Sequence, residues 1–117
     1  MASQNNPACS LTGKHCIPCE GGVPPLTEDR IAELLSELSG WTVRDGKILG
    51  KHFEFRNFKE VIQVVNQIAD IADAEGHHPD LYIHSWKHLD VKLSTHAIGG
   101  LSENDFILAA KIDAVVG

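Results

Sequence analysis

Seven histidines are many for a chain of 117 residues, and five of them, His77, His78, His84, His88 and His96, fall within twenty positions. Two are adjacent, held between a glycine and a proline in Gly76-His77-His78-Pro79-Asp80. Imidazole titrates near neutrality, so it can both donate and accept a proton at physiological pH. Three histidines with an open water position also make a catalytic zinc site. The residues therefore allow three readings: acid–base work, metal binding, or a plain polar loop. Against metal, the doublet lacks the one-turn spacing of a helical histidine pair, and no carboxylate sits in an obvious ligand register.

Three of these histidines fall at the ends of elements. Ahead of the doublet, Asn57 can cap a long helix in which Phe58, Val61, Ile62, Val65, Ile68 and Ile71/Ala72 form one apolar stripe. Gly76 stops that helix, and Pro79 prevents its resumption. Residues 81–95 then read as two strands with a turn near Ser85 to His88. In the second strand Leu89, Val91 and Leu93 alternate with Asp90, Lys92 and Ser94, the pattern of a half-buried strand with one wet face. His96 follows it. In an antiparallel hairpin the start of one strand neighbours the end of the next, so topology carries His96 back towards His77 and His78. His84 and His88 read as surface residues, and His52 as the polar side of an earlier strand.

The remaining elements complete a frame. Thr27 caps a first helix with Glu28 and Asp29 in its first turn, where the helix dipole favours acids. Ile31, Leu34, Leu35 and Leu38 recur at helical spacing, and Gly40 is the expected stop. Residues 41–55 look like a hairpin turning at Asp45-Gly46, with Gly50 a candidate bulge. Ser102 caps a last helix, with Asp105 as an acidic variant of the capping box. Phe106, Ile107, Ala110 and Val115 give that helix an apolar side. The order α-β-β-α-β-β-α predicts an α+β fold: a four-stranded antiparallel sheet with helices packed on one face. Residues 1–25 read as an irregular arm rich in Cys, Pro and Gly, and residues 26–117 as one domain.

Composition narrows the class. At 43% hydrophobic residues the chain can bury a core without disulfide staples. Sixteen acidic against ten basic residues give a formal charge of −6, with no basic stripe, which argues against nucleic-acid binding. No long apolar span and no charged-then-apolar leader is visible, so neither membrane insertion nor a cleaved export signal is expected. Three cysteines, Cys9, Cys16 and Cys19, crowd near the N-terminus. An odd number in one segment argues against a secreted disulfide framework and for a reducing cytoplasm. Cys16-Ile-Pro-Cys19, with Cys9 and His15, could form a tetrahedral metal set, but the second half of the usual paired motif is missing, redox use would need a βαβ context that is absent, and a structural or incidental arm is the favoured reading.

Taken together, "GHHPDLYIHSW" and "VKLSTHAIGGLSENDFILAAKID" resemble the pterin-4a-carbinolamine dehydratase family, as does "GWTVRDGKILGKHFEFRNFKEVIQVVNQIADIAD" upstream. The resemblance runs from about Leu26 to the C-terminus. It implies a hydro-lyase that expels the 4a-hydroxyl of a tetrahydropterin as water and leaves a quinonoid dihydropterin, with no metal and no redox cofactor. It further implies that His77 and His96 are the proton-transfer pair, with His78 also in the catalytic set and mainly holding the pterin. Asp73, Asp105, Trp41, Ser94 and Thr95 fall at positions that would complete the substrate site. Asp105 could equally be a capping carboxylate, Asp73 a solvated helix residue and Trp41 a core residue. Implied partners are a small pterin, a functional link to an aromatic amino-acid hydroxylase, and further copies of the chain in a homodimer or homotetramer. Two other functions remain open: a protein-interaction and dimerisation cofactor, and a metal-binding protein built on the histidine cluster.

Overall fold

A computed structural model describes Leu11, Gly13, Lys14, Cys16 and residues 24–116. Four strands and three helices follow in the expected order: α1 (Glu28–Leu35), β1 (Thr42–Arg44), β2 (Ile48–Glu54), α2 (Phe58–Glu75), β3 (Asp80–His84), β4 (His88–Leu93) and α3 (Glu103–Val116). A short 3-10 turn, His96–Ile98, links β4 to α3. All strand pairs are antiparallel, and the sheet order is β1-β2-β4-β3. The α+β architecture expected from the sequence is the one observed.

Alternation sorts the sheet into two faces. Leu49 and Phe53 of β2 and Leu89, Val91 and Leu93 of β4 are buried against the helices. Removing each such side chain from water contributes roughly 1.5–3 kcal/mol. The residues between them, His52, His88, Asp90 and Lys92, point to the uncovered face, because neighbouring strand residues alternate sides. Gly50 pairs in continuous register with Thr42 and Lys92, so there is no bulge at this position. Asp45 and Gly46 both have positive φ in the β1–β2 turn, as the sequence predicts.

Three helical details differ from the expectation. The first helix ends at Leu35, capped by Ser36, and two further turns carry the chain to Gly40. Nothing in the apolar spacing marks that early stop. In α2 the buried residues are Val61, Val64, Ile68 and Ala72, whereas Phe58 and Ile62 stay exposed. The apolar stripe is therefore wider than the face that packs. In α3 every residue from Asn104 to Ala110 is buried, as is Ile112. From Asn104 to Ala110 this helix has no wet side, because it is packed into the core against α1, α2 and the start of the chain.

The start of the chain contributes to the core. Leu11 is buried within it, and Cys16 packs against it. The backbone N–H of Leu26 donates to Leu101 O at 2.9 Å. Pro25 lies so close to Gly100 that a Cβ there would come within 2.7 Å of Pro25 Cβ. Cys9, His15 and Cys19 of the alternative metal set lie outside the described residues. Cys16, its fourth member, donates its backbone N–H to Glu75 Oε1 at 2.7 Å, and its Sγ lies 3.6 Å from Asn104 O.

Candidate active site

The doublet stands where α2 turns into β3. Asn57 caps the helix start by accepting from the Glu60 N–H. Gly76 ends the helix at φ +66°, a left-handed conformation in which glycine carries no Cβ penalty. His77 closes the helix through its N–H to Ala72 O at 3.2 Å. Pro79 then leads into β3, where Asp80 pairs with Lys92 of β4. The residues just before Asp80 therefore lie beside those just after Lys92, namely Ser94, Thr95 and His96.

A buried hydrogen-bond network joins these two stretches. His77 Nε2 lies 2.6 Å from Asp105 Oδ1, and Asp105 is fully buried. Asp105 Oδ2 accepts from the Thr95 hydroxyl at 2.9 Å and from the Ser102 backbone N–H at 3.0 Å. Because Thr95 donates its single proton to Asp105, the Ser102 hydroxyl must donate to Thr95, at 2.8 Å. Asp105 is thus both the N3 carboxylate of a capping box and the partner of His77. A carboxylate that accepts from its neighbours takes the His77 Nε2–H as a third donor. That contact fixes the ring's orientation and, for the neutral ring, the tautomer that carries its lone pair on Nδ1.

His78 points away from this network. Its Nε2 lies 3.0 Å from Asp73 Oδ1, and both side chains are mostly exposed. Asp73 therefore meets the second histidine of the doublet. Adjacent residues diverge, so the pair acquires two carboxylates in two environments. His96 is exposed at the start of the 3-10 turn. With Ser94, Thr95, Lys47, Ile48 and the Gly99-Gly100 turn it lines an open cleft of about 310 Å³. Among the described residues, no hydrogen bond or ring contact joins His96 to His77 or His78. Their common links are Thr95, which borders the cleft and bonds Asp105, and the shared end of the β3–β4 hairpin.

The chain matches the family of pterin 4 alpha carbinolamine dehydratases over residues 24–115. It belongs to that family. A protein of Rickettsia bellii is 54% identical over 106 residues, which cover 90% of this chain and 93% of that one. A protein of Methylococcus capsulatus is 46% identical over 107 residues, covering 91% and 93% of the two chains. Both are provisionally named pterin-4-alpha-carbinolamine dehydratases. Among solved structures, a transcriptional coactivator/pterin dehydratase from Brucella melitensis superimposes with a TM-score of 0.75 at 33% identity, covering 80% of this chain and 99% of that one.

Within this dehydratase-family chain, Trp41 stands apart from the histidines. It is buried, its Nε1 donates to Asp113 Oδ2 at 2.9 Å, and it meets Phe53 edge-on. Lys51 reaches over both rings and bonds Asp113 at 2.9 Å. That is the placement of a core tryptophan opening a hairpin. No helix of the described residues is long and apolar enough to cross a membrane.

Sequence reasoning missed a second histidine group. His52, His84 and His88, taken as separate surface residues, converge around Asp90 on the uncovered face of the sheet. His52 Nδ1 lies 2.5 Å from Asp90 Oδ1, and His52 Nε2 lies 3.0 Å from His88 Nδ1. The available signal was the spacing of two, His52 on one strand and His88 and Asp90 on another. It becomes informative only when the two strands are known to pair.

Proposed function

We propose that this protein dehydrates a 4a-hydroxytetrahydropterin to the quinonoid dihydropterin, with histidines as the proton-transfer groups. The observation that carries this reading is the buried Asp105, which orients His77 and reaches the His96 cleft through Thr95. Loss of the 4a-hydroxyl requires one proton delivered to the departing oxygen and one proton removed from the adjacent ring nitrogen, whose electron pair forms the new double bond. The products are water and the dihydropterin, with no net redox change. Groups that change protonation near neutrality suit both transfers.

His77, with its ring fixed by Asp105 and Nδ1 available, takes or gives one of these protons. His96, on the opposite side of the hairpin end, handles the other. His78, held by Asp73 at the surface, positions the pterin, and Ser94 and Thr95 supply polar groups along the cleft. Trp41 supports the fold. In this reading the protein acts in the cytoplasm on pterin spent by an aromatic amino-acid hydroxylase. It assembles with further copies of itself, which the exposed Phe58 and Ile62 of α2 and the exposed Tyr82 of edge strand β3 support.

The test is turnover of a 4a-hydroxytetrahydropterin by the full chain and by His77→Ala, His78→Ala and His96→Ala, with and without chelator. Turnover that resists chelator, and falls mainly in kcat for His77→Ala and His96→Ala, is the expected result. Turnover unchanged in His96→Ala removes it as an essential acid or base. Turnover abolished by chelator and restored by zinc replaces the acid–base reading with a metal-dependent one.

A further inference from the structure

The uncovered face of the sheet carries the second histidine group, distinct from the proposed active site in residues and in chemistry. His52 of β2 is directly opposite Asp90 of β4, and His84 of β3 is opposite His88 of β4. Opposite and diagonal neighbours on one face of a sheet come within side-chain contact. Asp90 therefore has an imidazole on each side. His88 stacks on both other rings, with centroids 5.0 Å from His52 and 5.4 Å from His84, while His52 and His84 lie tilted to each other at 5.7 Å.

We propose that His52 Nδ1, His84 Nε2 and the Asp90 carboxylate form a binding site for a divalent transition-metal cation such as Zn²⁺. Three observations carry the proposal. First, the ligand atoms already converge: all lie within 4.8 Å of one another. Metal bonds of about 2.0–2.2 Å place two ligands of one ion roughly 3–4 Å apart, so small side-chain rotations suffice. Second, His84 Nε2 is shielded from solvent and makes no hydrogen bond. It lies 3.0 Å from Asp90 Oδ2 but out of line for one. Both rings lean on one carboxylate, yet His84 Nε2 has no hydrogen bond there; a shared cation would give each of the two nitrogens a bond. Third, the outer contacts suit ligation. With His52 Nδ1 on the ion, its Nε2–H donates to His88 Nδ1, the kind of second contact that fixes a ligand's tautomer.

Two imidazoles and one carboxylate are the donor set of zinc and of other borderline metals, and they leave positions for water. Those positions open onto a shallow groove of about 440 Å³ beside His52 and Asp90, which Arg44 and Lys92 also line. This placement on an open face makes the site accessible without any change in the core.

The experiment uses the full chain, stripped with chelator and kept reduced. Zn²⁺ binding is measured by titration calorimetry, and Co²⁺ binding by visible absorption and histidine ring NMR. One equivalent of Zn²⁺ should bind, and Co²⁺ should give no thiolate charge-transfer band. Asp90→Asn and His84→Gln should each weaken Zn²⁺ binding about 100-fold, and His88→Gln about tenfold, the scale of an outer-contact loss. His78→Ala should leave binding unchanged. Because these side chains lie on the open face, circular dichroism of the metal-free variants should match wild type. Independently of any substitution, Co²⁺ should broaden the rings of His52, His84 and His88 before those of His77, His78 and His96. No Zn²⁺ binding, a thiolate band, binding retained in both Asp90→Asn and His84→Gln, or the reverse order of broadening would each overturn the site.

Discussion

Two histidine groups occupy one small domain, and their carboxylates distinguish them. At the hairpin end, His77 and His78 each have their own carboxylate, Asp105 and Asp73, and the first of these is sealed in the core. On the open face two histidines share a single carboxylate, Asp90, on a half-exposed surface. A private, buried partner holds one ring in one orientation, which is what proton transfer to a bound molecule needs. A shared, accessible partner draws several rings towards one point, which is what an ion needs. The same residue type thus serves different chemistry according to whether it ends an element or alternates along one.

Substitution of the histidines themselves should separate the groups most widely. His77→Ala and His96→Ala should each lower kcat for pterin dehydration by about 10²-fold or more, the range of general acid–base catalysis. His52→Ala and His84→Ala should leave kcat at the wild-type value. Equal losses in both groups, measured in the same turnover assay, would erase the distinction.

The next effect is in stability. Thr95→Val removes a donor from the buried Asp105 and leaves the Ser102 hydroxyl without its acceptor. It should cost about 1–3 kcal/mol in urea unfolding. His88→Gln, on the open face, should stay within about 0.5 kcal/mol. A Thr95→Val protein as stable as wild type would show that the network is not under strain when cut, and that burial of Asp105 needs no hydroxyl.

Gly100→Ala probes the frame of the first group. The new Cβ would meet Pro25 at 2.7 Å, so the Pro25–Leu26 strap beside the Gly99-Gly100 turn must move. Overpacking of this kind costs about 1–3 kcal/mol, and the shift should raise KM through the His96 cleft. Unchanged thermal unfolding and unchanged KM would detach the strap from the site.

The smallest effect lies on the open face. The depressed pKa of Asp90 contributes stability above the unfolded carboxylate's pKa, and that contribution is lost as pH falls through the folded value. In chelator near neutral pH, wild type should exceed Asp90→Asn by about 0.2–1 kcal/mol, the range of a surface pair. The two should converge in acid, below the ordinary carboxylate range. A gap that persists there would assign the effect of Asp90 to something other than its charge.

Much of this was legible in the chain because it is local. Asn57 and Gly76 mark the ends of α2, Asp45-Gly46 marks a hairpin, and the alternation of Leu89, Val91 and Leu93 marks β4, each through backbone preference or periodicity over a few residues. The hairpin β3–β4 also brought the His77–His78 side and the His96 side together by connectivity alone. Less local features were not legible. The stripe on α2 did not reveal that Phe58 and Ile62 stay exposed, since packing partners decide which part of an apolar face is covered.

The sequence by itself determined the elements, their order, the antiparallel hairpins and the placing of His77, His78 and His96 at one end of the sheet. Only the tertiary structure decided which carboxylate each histidine meets. Asp105 reaches His77 from α3 across 28 positions, and Asp73 turns to His78. It alone decided that β2 pairs with β4, which sets His52 against Asp90 across 38 positions. The physical reason is range. Capping, turns and alternation are settled by neighbours in the chain, whereas sheet order and buried hydrogen bonds are settled by which surfaces exclude water together.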